Sequence, residues 1–174
     1  MMGAGKSTVG RLLAARLGYG FLDLDQIIEQ VSGQSVADIF AEQGEAHFRA
    51  LETQVLAAVS PYTCKVVATG GGVVLARPNW GYLHYGIVVW LDAPVEVLLR
   101  RIEQQPGKRP LLAGSDLRDR LRELLAQRRF LYDEADVWVD ASADEPAEVA
   151  RLTLERLELR LAEDRPPVAD HQKN

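Results

Sequence analysis

A three-layer α/β fold built on a parallel sheet is what this chain predicts, and three observations carry the expectation. Short apolar runs alternate with amphipathic runs of helical period. Gly3-Ala4-Gly5-Lys6-Ser7-Thr8 is the back end of a phosphate-binding loop, G-x-x-x-x-G-K-[ST], and it opens one of the helical runs. The acids Asp23, Asp25 and Asp92 and the glycine triplet Gly70 to Gly72 follow apolar runs, beyond the carboxyl ends of the predicted strands, where open α/β sheets bind their ligands.

The elements can be taken in order. From Ser7 to Leu17 the residues Val9, Leu12, Leu13 and Leu17 keep helical spacing, and Gly18 offers a stop. Phe21-Leu22-Asp23-Leu24-Asp25 reads as a short strand ending in acids, followed by a helix over Gln26 to Val31 that Ser32-Gly33 breaks. Ser35 caps the next helix, with Asp38 as the reciprocal acid, and that helix stops near Gly44. Another runs from Glu45 to Val59, with Phe48, Leu51, Val55 and Val59 along its inner face. Val66-Val67-Ala68-Thr69 is a buried-type strand leading into Gly70-Gly71-Gly72, and Ile87-Val88-Val89-Trp90-Leu91 is a second. Pro94 opens a helix through Ile102. Residues 104–116 hold two Pro and two Gly with no period, and read as a mobile loop. Leu117, Leu121, Leu124, Leu125 and Leu131 mark a long helix, Val137-Trp138-Val139 a last strand, and Pro146 the start of a final helix to Leu161. The expectation is one domain over residues 1–162 and a frayed tail over 163–174.

With 174 residues, 47% of them apolar and 26% charged, the chain is long enough and apolar enough for one proper core. A net charge of −5 argues against a general nucleic-acid binder. No signal peptide is recognised, and no apolar run approaches the roughly 18 residues of a membrane span. Cys64 stands alone, so no internal disulfide forms; beside Val66 and Val67 it reads as a small buried side chain. His47, His84 and His171 lack ligand spacing. A cytoplasmic location is the expectation. The basic residues are sixteen Arg against four Lys, and Arg suits a bidentate grip on carboxylate or phosphate.

Several positions carry chemistry on their own terms. Gly5 permits the tight turn, the amides behind it face an anion at a helix N-terminus, Lys6 reaches the β- and γ-phosphates, and Ser7 offers a hydroxyl to Mg²⁺. Asp23 and Asp25, two apart on an extended segment, leave the same side and invite Mg²⁺ beside a triphosphate; Asp25 as a simple cap for the following helix is the alternative. Arg49 and Glu52 are three apart on one helical face, which is either an exposed ion pair or the rim of a cleft. The triplet Gly70 to Gly72 is either a tight turn or a stretch where backbone amides meet a ligand.

Taken together, Gly3 to Thr8, Leu22-Asp23-Leu24-Asp25, Phe48-Arg49-x-x-Glu52, Gly70-Gly71-Gly72 and Arg109-Pro110-Leu111-Leu112 resemble shikimate kinase in order and spacing, over about Met1 to Pro146. The resemblance implies a P-loop kinase fold, akin to the nucleoside monophosphate kinases, with a central parallel sheet and a mobile lid. It implies ATP and Mg²⁺ as cofactors, phosphorylation of the 3-hydroxyl of shikimate on the way to the aromatic amino acids, and a monomer. It places Asp23 at Mg²⁺ and Asp25 at the substrate hydroxyls, as acceptor of the attacking hydroxyl's proton. It places Arg49 on the substrate carboxylate, held by Glu52, with Gly71 and Gly72 also against shikimate. Arg109 is implied as the lid's cation, fitting that part better than Lys108. Spacing to Tyr132 makes Arg128 the further carboxylate ligand, with Arg129 as the fallback, and Arg101 and Pro146 are implied to sandwich adenine. A gluconate-type kinase and a non-catalytic binding relative are the other readings; the retained Lys6, Asp25 and Arg109 speak against the second. The motif's first Gly and the central strand that delivers it would lie ahead of Met1, so the expectation is that about ten further residues, ending in Gly, precede it in the native chain.

Overall fold

A computed structural model describes residues 1–104 and 117–163. Its elements alternate as expected. Helices α1 (Lys6–Leu17), α2 (Leu24–Ser32), α3 (Val36–Glu42), α4 (Gly44–Val59), α5 (Arg77–Leu83), α6 (Val95–Glu103), α7 (Leu117–Tyr132) and α8 (Pro146–Glu163) surround strands β1 (Gly20–Asp23), β2 (Lys65–Ala68), β3 (Val89–Asp92) and β4 (Val137–Asp140). All described pairings are parallel: β1 with β2, in the register Asp23 to Ala68, and β3 with β4, in the register Asp92 to Asp140. The carboxyl ends within each pair therefore line up.

Among the described residues the parallel sheet stands as these two two-stranded halves, and β2 and β3 share no ladder. Met1 is buried, and its backbone lies about 3.4 Å from the point where a side chain on Gly71, just past β2, would begin. Its sulfur meets the Tyr132 hydroxyl of α7. Helix α1 packs on β1 and β2 and against α8, which covers β4. Tyr132 lies over Trp90 of β3, ring centroids 5.6 Å apart. One apolar core runs through both halves, with Leu24, Ile28, Ile39, Leu98 and Leu121 fully buried.

Three local expectations are corrected. The strand over Phe21 to Asp25 stops at Asp23, which is itself the N-cap of α2: its Oδ1 accepts from the Asp25 amide at 3.1 Å, so Asp25 stands in the helix's first turn. Between Gly72 and β3, where no element is expected, a short 3₁₀ turn (Val73–Leu75) leads into α5. Non-local bonds hold this segment, Asn79 Nδ2 donating to the Val73 carbonyl and Trp80 Nε1 to that of Val74. Cys64 is exposed rather than buried, with a positive φ of 54°, in the turn whose carbonyl accepts from the Gly20 amide as β2 begins. The cap at Ser35 is as expected, its Oγ accepting from the Asp38 amide at 3.1 Å.

Candidate active site

The phosphate loop is set by backbone conformation. Gly5, the N-cap of α1, has φ of 86°, which an L side chain rarely adopts, and no side chain caps the amides behind it. Those amides and the helix dipole are left for an anion. Lys6 Nζ donates to the Met1 carbonyl at 2.7 Å, folded back along the loop. Ser7 Oγ donates to Asp23 Oδ2 at 2.6 Å. A hydroxyl and a carboxylate, both hard oxygen donors, thus meet beside the loop, and the pair fits Mg²⁺. No cluster of three or more His, Cys, Asp or Glu occurs among the described residues, so such an ion would take its remaining ligands from phosphate and water.

This loop opens onto a cavity of about 530 Å³. Gly3, Ala4, Gly5, Lys6, Ser7 and Thr8 line one part of it, with Asp23 and Asp25 beside them. Arg49, Glu52 and Arg128 line it too, each against the glycine loop Gly70 to Gly72, and so do Arg101 and Pro146. Every site residue expected from the sequence faces this one cavity except Arg109, which lies outside the described residues.

Arg49 and Glu52 are not a solvated surface pair. Glu52 is fully buried, and its Oε2 accepts from Arg49 Nη1 at 2.7 Å. Glu45, one turn back, takes Arg49 Nη2 at 3.1 Å, and the guanidinium lies 5.1 Å from the Phe48 ring centroid. Glu45 is a holder the sequence reading missed, although its spacing four residues before Arg49 was available as a signal. A methyl on Gly72 would collide with the Arg49 guanidinium, so the missing side chain is what seats it. Where a methyl on Gly70 would stand, Glu52 Oε1 lies 2.6 Å away and Asp25 Oδ1 3.3 Å. Neither oxygen has a partner among the described residues. Burial raises the carboxyl of Asp25, with Asp23 adding to it and Lys6 opposing. Burial likewise raises Glu52, against the pull of Arg49.

The two neighbouring arginines of α7 separate cleanly. Arg128 is buried on the cavity wall, its Nη1 donating to the Gly71 carbonyl at 3.3 Å. Arg129 is half exposed, pairs with Asp92 at 3.3 Å and lies over Trp90 outside the cavity. Arg101 Nη1 donates to the Ala141 carbonyl at 2.9 Å, tying α6 to the loop after β4, and Arg100 pairs with Asp144 of the same loop.

A family model described as shikimate kinase matches residues 2–158. The chain belongs to the shikimate kinase family. It is 65% identical over 167 residues to a shikimate kinase of Gloeobacter violaceus, covering 96% of this chain and 94% of that one. A shikimate kinase of Nostoc punctiforme is 51% identical over 156 residues, covering 89% and 86%. Among solved structures, a shikimate kinase from Acinetobacter baumannii in complex with shikimate superposes with a TM-score of 0.85 at 39% identity, covering 95% of this chain and 91% of that one. A deoxyadenosine kinase from M. mycoides, at 16% identity and a TM-score of 0.59, shares the fold alone.

Four of the five motifs that resemble the shikimate kinase family thus meet at one cavity, and the fifth, Arg109-Pro110-Leu111-Leu112, lies outside the described residues. What the sequence reading missed around them is the apolar wall that Val36 and Phe40 add beside Phe48, and the bond that Tyr132 makes, its hydroxyl donating to the Gly71 carbonyl at 2.6 Å. Val36 and Phe40 read only as core positions because periodicity marks burial and not which buried faces border a cleft.

Proposed function

We propose that this chain transfers the γ-phosphoryl group of ATP to the 3-hydroxyl of shikimate, with the cavity's residues in the following roles. The observation that carries the reading is the cavity's polarity. A phosphate loop and two guanidiniums line one cavity, Arg49 at Gly72 and Arg128 at the Gly71 carbonyl, with the carboxylates of Asp25 and Glu52 at Gly70. An acceptor that is both an anion and an alcohol fits that order, its carboxylate on the arginines and its hydroxyl turned toward the loop.

Gly3 to Thr8 cradle the phosphates, and Lys6 leaves the Met1 carbonyl to neutralise charge on the transferred group. Ser7 and Asp23 would hold Mg²⁺, which supplies charge neutralisation at the β- and γ-oxygens when bound. Arg101 and Pro146 flank the base. Asp25 accepts the proton of the 3-hydroxyl as that oxygen bonds to the γ-phosphorus; the bond from phosphorus to the β-bridging oxygen breaks, and ADP leaves. Burial suits Asp25 to the task, since a carboxylate kept from water binds a proton more readily. Arg109, outside the described residues, would neutralise charge on the transferred phosphoryl group. The protein works as a cytoplasmic monomer without nucleic acid or membrane. The net charge of −5 supports the former, and no helix of the described residues is long and apolar enough to cross a membrane.

A coupled ADP-release assay tests the reading, with shikimate and gluconate as competing acceptors. Turnover with shikimate and none with gluconate is the expected result. Arg49→Ala is expected to raise the shikimate KM with kcat little changed, and Lys6→Ala to abolish turnover. An unchanged shikimate KM in Arg49→Ala would sink the carboxylate role.

A further inference from the structure

Tyr132 ends α7 with its ring buried on Trp90 and its hydroxyl spent on a backbone carbonyl, that of Gly71, at 2.6 Å. Arg128, one turn earlier, reaches the same oxygen at 3.3 Å. Two donors from one helix therefore grip a single peptide group inside the glycine loop. That group is trans, as are all the described peptide bonds, so the Gly71 carbonyl and the Gly72 N–H point in opposite directions. Pinning the carbonyl onto α7 turns the Gly72 N–H away from α7. Gly72 lines the cavity, and neither it nor Gly71 donates its N–H to another backbone carbonyl of the described residues.

We propose that Tyr132 is a positioning residue for the phosphoryl acceptor: by holding the Gly71 carbonyl it aims the Gly72 amide into the cavity as a donor to the acceptor's oxygens. The proposal rests on the acceptor reading given above. Arg128 cannot do this alone, because the same reading calls its guanidinium to the acceptor's carboxylate, and a guanidinium drawn to a carboxylate loosens on the carbonyl. Among the described residues the phenol hydrogen goes to the Gly71 carbonyl, with the Met1 sulfur 3.7 Å away, while the Arg128 guanidinium donates to the phenol oxygen. Burial raises the phenol above its ordinary value, so it stays protonated and a donor across the working range.

Tyr132→Phe removes one oxygen and keeps the ring. Loss of one neutral hydrogen bond predicts a shikimate KM raised roughly three- to tenfold, with the ATP KM unchanged and the thermal midpoint within a few degrees of the parent. A role confined to packing would instead lower the midpoint without separating the two KM values. An unchanged shikimate KM, or an equal rise in both, overturns the proposal. The parent protein labelled with ¹⁵N-glycine decides the matter even if the variant fails to fold: the Gly72 amide resonance is expected to move on addition of shikimate, and a resonance that stays in place overturns it. Failure of the acceptor reading looks different, as absence of ADP release from the parent protein with shikimate.

Discussion

Glu52→Gln puts the holding of Arg49 to a quantitative test. Removing one partner of a buried ion pair commonly costs about 3–5 kcal/mol. Two features of this site reduce that figure. Arg49 keeps Glu45 at 3.1 Å, and a Gln side chain can still accept from Nη1 where Glu52 Oε2 accepts at 2.7 Å. What is lost is the charge of the bond, so the cost falls to the range of one charge-assisted hydrogen bond, about 1.5–3 kcal/mol. That cost falls on the aim of Arg49 more than on the fold. Burial already disfavours the ionised form of Glu52, and a neutral amide escapes that penalty. The shikimate KM is therefore expected to rise about ten- to a hundredfold, at 1.4 kcal/mol per tenfold, while the ATP KM is unaffected. The thermal midpoint should stay within about 4 °C of the parent. The assay is coupled ADP release over a shikimate titration, with a melting curve on the same sample. A shikimate KM within about twofold of the parent, in a protein that melts normally, would refute the reasoning, since Arg49 would then be held without the Glu52 charge.

Asp25→Asn should cost about 10²–10⁴ in kcat by removing the proton acceptor, yet stabilise the protein near neutral pH by about 1–3 kcal/mol, because Asp25 Oδ1 is buried without a partner among the described residues. The sign follows from its raised carboxyl. Its contribution to stability is fully present below the unfolded value of 3.8 and is lost as pH rises through the higher folded value, so melting curves across that window should fall with pH in the parent and flatten in the variant. Arg128→Ala is expected to raise the shikimate KM at least tenfold. Arg129→Ala, which removes a half-exposed pair with Asp92, should leave both KM values unchanged and cost under about 1 kcal/mol in a denaturant titration. Gly72→Ala forces the Arg49 guanidinium off its seat, and its effect should appear as a shikimate KM raised about tenfold without loss of fold; an unmoved KM would show that Arg49 binds from elsewhere.

Which parts of this protein could be read from the chain follows from where each part gets its free energy. The phosphate loop, the acids after β1 and the glycine triplet were legible because their chemistry needs fixed residue types at fixed spacing, and local backbone geometry delivers them. Helix α5 was not, because its seven residues include Gly81 and hold their place through Asn79 and Trp80 bonded to the preceding turn and through Thr53 Oγ1, which donates to Asn79 Oδ1 at 2.8 Å. Contacts of that kind leave no period. The exposure of Cys64 is likewise a tertiary outcome. The choice between Arg128 and Arg129 is a different case. On α7 the buried positions are Leu121, Leu124, Arg128 and Tyr132, a stripe at helical spacing with one cation in it. On α4 they are Phe48, Glu52, Val55, Leu56 and Val59, again with one ion in an apolar stripe, and Leu51, expected on that face, is only partly buried. An ion in such a stripe cannot be left unpaired in an apolar core, so it must meet a counter-charge, a backbone group or a ligand. Glu52 meets Arg49, and Arg128 meets the Gly71 carbonyl at the cavity wall. Had the stripes been read for their charged exceptions as well as their apolar members, both residues would have followed from phase alone, and Arg129, one residue out of phase, would have been set aside.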